Sequence, residues 1–181
     1  MENNGIGKLF EGVDRWTVLI YVLIVLVGFV AILSASYEEG AESIFSFSHF
    51  YMKQLVWMGI SFAVAVVVLL VDASIYHKWA YLFYVLGLLT LVAALLFGRE
   101  VNGAKAWFEI GWVRIQPVEF AKIATALALA RVMSSSSFSI NRAGDLFKVG
   151  LLICLPLLII VMQNDTGSGM VLVSLLFVLY R

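Results

Sequence analysis

Two polar segments of this chain, Val101–Lys122 and Gln163–Gly169, carry the residue types that could do chemistry. In the first segment, Glu119 and Lys122 are three residues apart and therefore share one face of a helix. A charge placed inside a membrane helix costs roughly 2.5–3.5 kcal/mol, so such a pair marks a functional interior site by default. The structural alternative is that Glu119 complements the helix dipole and simply pairs with Lys122.

The residues upstream of this pair suit a membrane–water boundary. Asn102 and Gly103 are a turn signal, and alternating aromatic, charged and apolar residues follow them. This pattern predicts a segment that lies along the interface, with Trp107 at headgroup depth. The other candidates for contacts with an anionic substrate are Lys105, Arg114 and Gln116.

The second segment reads QNDTGSG and contains one acidic residue, Asp165. The simpler interpretation of Asp165 is an N-cap for the helix that follows, since aspartate strongly favours that position. The alternative is a carboxylate that lines a polar site. The sequence leaves both interpretations open.

Long apolar stretches must position these segments. The chain is 62% hydrophobic and 13% charged, whereas soluble domains are about 45–50% apolar and about 25% charged. Runs of roughly 20 apolar residues cross a bilayer as helices, which predicts an all-α polytopic membrane bundle with about five complete transmembrane helices and a truncated sixth. The predicted spans are 16–35, 55–71, 79–97, 117–133, 147–163 and 170–181.

The organisation predicted from these spans is one transmembrane domain over residues 1–181. The last span is about half the required length, so we expect the chain to be a fragment of a longer protein. The positions of lysine and arginine favour a cytoplasmic N-terminus. Residues 38–54 and 98–116 are then outside, and residues 134–148 are inside.

Several other function classes are disfavoured. Twelve basic and twelve acidic residues cancel, which gives no reason to expect nucleic-acid binding. His49 and His77 are far apart and have no companion cysteines, so no metal site is predicted. Cys154 lies in an apolar run and is expected to be a small buried hydrophobic residue.

The polar segments resemble the SEDS family of membrane proteins, which includes RodA, FtsW and SpoVE. The first segment is similar to the family's NGA-x-R-W and QP-S-EF-x-K signature, and the second is similar to its QPDLGT segment. The sequence FEIG followed by RIQP resembles the rod-shape RodA branch of the family more than its division branch. The matching residues are Asn102, Gly103, Ala104, Trp107, the run Gln116–Lys122, Gln163, Asp165 and Gly167.

The resemblance implies a peptidoglycan glycosyltransferase in the bacterial cytoplasmic membrane that polymerises lipid II for cell-wall elongation, cell shape or division. It also implies a class B penicillin-binding protein as partner and about ten helices in the full fold, of which this chain covers the N-terminal half. Lys122, Arg114 and Lys105 would bind phosphates, Glu119 would hold Lys122, and Trp107 and Gln116 would contact substrate. Asp165 would line the cavity in a supporting catalytic role. No cofactor is indicated, and a divalent cation at the phosphates is left open.

Departures from the family pattern qualify these expectations. Ala106 stands where the family often has arginine, Val118 replaces a small residue, and Asn164 replaces proline. The family's presumed catalytic base lies in the second half, so this chain alone is expected to be inactive. The alternative functions are a lipid II flippase and a scaffold that recruits a transpeptidase without catalysing.

Overall fold

The computed structural model describes residues 14–35, 50–111 and 113–180. The chain divides after Asp72 into two compact units. The single domain over residues 1–181 therefore stays a prediction.

The described part of the first unit contains two apolar helices, α1 (Arg15–Ala35) and α2 (Phe50–Leu70). Asp14 caps α1, since its carboxylate accepts hydrogen bonds from the Trp16 amide at 3.1 Å and the Thr17 hydroxyl at 2.6 Å. The bond from Thr17 lowers the pKa of Asp14. Helix α2 begins at Phe50, five residues before the predicted span. Residues 38–49 of the predicted outer loop, His49 among them, lie outside the described residues.

The second unit contains four helices and a small sheet. The helices are α3 (Ala73–Phe97), α4 (Pro117–Met133), α5 (Ala143–Met162) and α6 (Thr166–Ser174), which continues as a 3₁₀ helix over Leu175–Tyr180. The strands are β1 (Arg99–Val101), β2 (Ala104–Ile110) and β3 (Val113–Ile115).

Four helices of the described chain, α1, α2, α3 and α5, are long and apolar enough to cross a membrane. Helix α4 has 17 residues and carries three charged side chains, and α6 has 9 residues. The prediction of a polytopic helical membrane protein is confirmed. The prediction that Cys154 is buried is wrong, because it lies on an exposed face of α5, where an apolar side chain can face lipid.

Helices α3 and α4 pack closely because small residues face each other. A Cβ atom added at Gly87 would stand 3.3 Å from the Cα atom of Ala121. Next to this contact, residues of α3, α4, α5 and α6 share one buried cluster, which ties the four helices together. Its members are Leu91, Val118, Ala121, Ile160 and Leu172.

A proline inside α5 is accommodated by a side chain from α3. Pro156 has no amide proton to donate to the carbonyl of Leu152, four residues earlier. The hydroxyl of Tyr84 donates to that carbonyl at 3.1 Å. The tyrosine therefore satisfies the acceptor that proline leaves free, which is how neighbouring helices stabilise proline within a membrane helix.

The segment between α3 and α4 is a three-stranded antiparallel sheet in the order β1-β2-β3. The strands were not predicted from the sequence, and the location of this segment at the membrane interface stays a prediction. Asn102 and Gly103 have φ angles of 52° and 83°, the left-handed values required by a two-residue type I′ hairpin turn. The antiparallel pairing of the strands satisfies the backbone N–H and C=O groups of this segment.

The second unit has two distinct ends. The hairpin end carries the sheet, the beginning of α4 and the turn between α5 and α6. The serine-loop end carries residues 134–142 with the beginnings of α3 and α5. Lys105 N donates to Gln163 O at 3.0 Å, which fixes the sheet beside the end of α5.

Candidate functional site

The candidate site lies at the hairpin end, and one hydrogen bond joins its two polar segments. Helix α4 begins at Pro117, a residue suited to the first helical position because it has no amide proton to leave unsatisfied. Gln116 precedes it in an extended conformation, and its Nε2 donates to Oδ2 of Asp165 at 2.8 Å. The bond connects residues that are 49 positions apart in sequence.

Asp165 caps α6, as the simpler interpretation of the sequence predicts. Its Oδ1 accepts a hydrogen bond from the backbone amide of Ser168 at 3.2 Å. Because Gln116 occupies Oδ2, the two carboxylate oxygens have different partners. The N-cap is confirmed, and participation of Asp165 in a functional site stays a prediction.

The expected pair on α4 is present. Lys122 Nζ lies 2.9 Å from Glu119 Oε1, and the side chains are 20% and 56% exposed respectively. Glu119 stands in the first turn of α4, where a negative charge complements the helix dipole. The more exposed partner can therefore hold the less exposed ammonium in place. An exposed pair of this kind adds little stability by itself.

The sheet places Arg114 in an ion pair that was not predicted. Glu109 on β2 lies between β1 and β3, where it pairs with Arg99 and, at 2.9 Å, with Nε of Arg114. Cross-strand pairing aligns Glu109 with Arg114. The Arg114 side chain is 62% exposed, so its guanidinium can also contact an anion. Its positive charge is partly neutralised by the carboxylate of Glu109.

Lys105 and Trp107 lie on β2 at the same end. The ammonium of Lys105 donates to the carbonyl of Leu96 in the last turn of α3 at 3.3 Å, where a cation complements the helix dipole. Trp107 is half-buried and pairs in register with Arg99. Ala106 is 1% exposed, so the position at which the family often has arginine is enclosed here.

Gln163 fixes the position of the two polar segments relative to each other, a role that was not predicted from the sequence. Its side chain is buried, and Nε2 donates to the carbonyl of Leu91 in α3 at 2.8 Å. Its backbone carbonyl accepts from Lys105, which fixes the sheet. Its Oε1 accepts no hydrogen bond from the described residues. The sequence signal was the motif match at this position.

Among the predicted site residues, the hairpin end brings together the anchored carboxylate of Asp165 and three cations held by neighbouring groups, Lys105, Arg114 and Lys122. The structure joins Gln116 to Asp165 and Glu119 to Lys122, while Arg114 belongs to the ion pairs of the sheet. Such a set can hold phosphate oxygens and position a hydroxyl group. The chain combines several long apolar helices with an ordered polar end. This combination identifies it as a multi-pass membrane protein.

Comparisons with known proteins identify the family. The model of the family FTSW_RODA_SPOVE, described as a cell cycle protein, matches residues 14–180. The chain belongs to this family, and the resemblance found in the sequence is confirmed.

Three relatives show the extent of the similarity. A peptidoglycan glycosyltransferase RodA from Treponema pallidum is 38% identical over 71% of this chain and 30% of its own length. A probable peptidoglycan glycosyltransferase FtsW from Shewanella sediminis is 30% identical over 91% of this chain and 41% of its own. The crystal structure of the rod shape determining protein RodA from Thermus thermophilus is 29% identical, with a TM-score of 0.78 over 90% of this chain and 51% of that one. The chain thus spans about half or less of each relative.

Proposed function

We propose that this chain forms part of a peptidoglycan glycosyltransferase of the RodA type, which polymerises lipid II in cell-wall elongation and so maintains cell shape. Membership of the family supports the reaction class. The RodA branch is supported by 38% identity to the Treponema relative, against 30% to the Shewanella FtsW over a longer match.

The observation that carries the proposal is the hydrogen bond between Gln116 and Asp165. It holds the beginning of α4 against the beginning of α6, so the ion pair on α4 and the carboxylate share the hairpin end. The Glu119 carboxylate keeps the ammonium of Lys122 in place at 2.9 Å. A positioned ammonium is a strong partner for phosphate oxygens.

The proposed reaction needs charges of both signs. The hydroxyl of an incoming lipid II attacks the anomeric carbon of the growing glycan. A new glycosidic C–O bond forms as the bond to the lipid pyrophosphate breaks, and the hydroxyl proton passes to a base. We assign Lys122, with Arg114 and Lys105, to the pyrophosphate that leaves. Trp107 and Gln116 contact the substrate, and Asp165 lines the cavity in a supporting role.

The proposed location is the bacterial cytoplasmic membrane, with the N-terminus in the cytoplasm. The serine-loop end carries Arg131, Arg142 and Lys148, which the positive-inside rule assigns to the cytoplasm. The hairpin end then faces outward, where lipid II is polymerised. We propose a class B penicillin-binding protein as the partner, because the family resemblance implies one.

A chimera tests this function directly. Residues 14–180 replace the matching half of a full-length RodA relative, and lipid II polymerisation is measured with the purified chimera. Lys122→Met should abolish polymerisation while leaving the thermal unfolding midpoint nearly unchanged, because Glu119 is half exposed and stays hydrated. Lys78→Met is the matched control, since it removes the same charge at the serine-loop end.

The outcomes separate the alternatives. Polymerisation by Lys122→Met within about threefold of the parent chimera, roughly 0.7 kcal/mol in barrier, would reduce Lys122 to a structural partner of Glu119. A folded chimera that moves lipid II across vesicles without polymerising it would indicate a flippase. Cell shape preserved by a Lys122→Met, Asp165→Asn double variant at normal protein levels would indicate a scaffold.

A further inference from the structure

A polar cavity lies at the serine-loop end, at the opposite end of the second unit from the candidate site. It has a volume of about 460 Å³ and opens between the beginning of α3, the end of α4, the serine loop and the beginning of α5. All of these elements belong to the second unit. Its charged lining residues are Arg131, Asp145 and Lys148, and its other polar ones include His77 and serines of the loop.

Arg131 is fixed in this cavity by two contacts. Its Nη1 donates to the carbonyl of Lys78 at 2.6 Å, and its guanidinium stacks over the ring of Tyr81 at 4.5 Å from the centroid. The simpler explanation of Arg131 is that its charge complements the dipole at the C-terminal end of α4. That explanation does not account for Lys148, a second cation that lines the same cavity from α5.

Lys148 is placed at the cavity by Asp145. Its Nζ lies 3.2 Å from Oδ1 of the carboxylate, whose side chain is 8% exposed. The other oxygen of Asp145 accepts from Ser139 N at 3.2 Å and lies 3.6 Å from Arg142. The carboxylate is therefore already paired with donors of the protein. With Arg131 and Lys148 positive and Asp145 negative, the lining carries a net charge of about +1, and Arg142 adds a further positive charge beside it.

An imidazole and three serine hydroxyls complete the polar lining of the cavity. His77 Nε2 lies 3.2 Å from the hydroxyl of Ser134, and the hydroxyls of Ser135 and Ser137 are 2.9 Å apart. The Ser134 hydroxyl already donates to the carbonyl of Arg131 at 3.0 Å. The Ser135–Ser137 hydroxyl pair, beside an arginine and a lysine, therefore supplies the donor that matches an acceptor oxygen of a phosphate group.

The depth of the cavity indicates where such a phosphate comes from. Trp79 and Tyr81, both largely exposed, stand in the first turns of α3, and aromatic residues at a helix end mark the headgroup level of a bilayer. The ammonium of Lys78 lies 5.7 Å from the Trp79 ring, outside the cavity lining. Basic cavities between membrane helices at the cytoplasmic side bind anionic lipid headgroups.

We propose that the serine-loop cavity binds the phosphate headgroup of an anionic phospholipid, with Arg131 and Lys148 as the cationic contacts and the Ser135–Ser137 hydroxyl pair as a further donor. The proposal is independent of catalysis, because it concerns the opposite end of the unit. The acyl chains of such a lipid would extend along the exposed apolar surface of α3.

The test is native mass spectrometry of the purified protein in mild detergent with phosphatidylglycerol or phosphatidylcholine of identical acyl chains. We expect phosphatidylglycerol to bind at least about fivefold more tightly, the effect of roughly one basic residue near a membrane surface. Lys148→Gln should remove most of that preference. Lys78→Gln, which removes a lysine at the same end but outside the cavity, should retain it.

Three results would overturn the proposal. These are equal binding of both lipids, equal losses in Lys148→Gln and Lys78→Gln, and displacement of the lipid by millimolar glycerol 3-phosphate, which would assign the site to a soluble phosphate. Thermal unfolding without lipid shows whether Lys148→Gln is folded. Should it fail to fold, Arg131→Lys keeps the charge but loses the planar fork, and a reduced preference for phosphatidylglycerol in that variant supports the same conclusion.

Discussion

Substitutions of Asp165 distinguish a helix cap from a charge that the reaction needs. Asp165→Ala removes the acceptor of the Ser168 amide and the acceptor of Gln116 together. Loss of an N-cap costs about 1 kcal/mol, and a hydrogen bond to a charged group contributes about 1.5–3 kcal/mol. Because Asp165 is partly exposed, we expect the low end of the sum, about 2–3 kcal/mol. The thermal midpoint should then fall by roughly 4–12 °C.

Asp165→Asn should keep both hydrogen bonds. Its Oδ1 can still accept from Ser168, and its Nδ2 can donate to Oε1 of Gln116 once the Gln116 amide turns over. We therefore expect near-normal stability. In the chimera with a full-length relative, we expect polymerisation to fall at least about tenfold, some 1.4 kcal/mol of barrier, because the negative charge is gone.

The assay is lipid II polymerisation measured beside thermal unfolding for each variant. Full activity in Asp165→Asn, together with loss of stability and activity in Asp165→Ala, would refute a role for the charge and leave Asp165 as a cap. Adding Gln116→Glu to Asp165→Asn restores a carboxylate on the other side of the same hydrogen bond. Recovered activity would show that the charge matters more than the position from which it comes.

Three further predictions concern topology and packing. In a Cys154→Ala background, a cysteine at Glu100 should react with a membrane-impermeant thiol reagent in intact cells and one at Ser136 should not; the reverse would overturn the orientation. Gly87→Leu should destabilise the protein by about 1–3 kcal/mol, because the Ala121 backbone lies in the way, whereas Gly150→Leu, with open space around it, should have little effect on the unfolding midpoint. Tyr84→Phe should cost about 1–3 kcal/mol by leaving the Leu152 carbonyl unsatisfied, and the cost should shrink in a Pro156→Ala background that restores the amide donor; an unchanged cost in that double-mutant cycle would contradict the pairing.

The helices were predictable because a bilayer requires long apolar runs, and these runs are visible in composition alone. Helix α4 was predictable despite Glu119, Lys122 and Arg131, since its other residues are small or apolar and Pro117 marks its start. Helix beginnings were less predictable. Helix α5 starts at Ala143 and includes Asp145 and Lys148, because polar residues in the first two turns remain near the membrane surface.

The sheet was not predicted, although its turn was recognised. Strand pairing depends on partners across the turn. Glu109 forms its two ion pairs only because β1 and β3 place Arg99 and Arg114 on either side of it. Alternating polarity along Ala104–Ile110 fits an irregular interfacial segment as well as a strand with two different faces. The local pattern therefore could not predict that the segment forms a strand.

The two interpretations of Asp165 are compatible, because the carboxylate has two oxygens. Capping occupies Oδ1 and the Gln116 amide occupies Oδ2, so the cap fixes the orientation that the proposed site requires. A carboxylate held by two hydrogen bonds needs little reorganisation when charge develops nearby, which is how preorganised groups contribute to catalysis. A strong local signal for a structural role therefore does not argue against a functional one at the same residue.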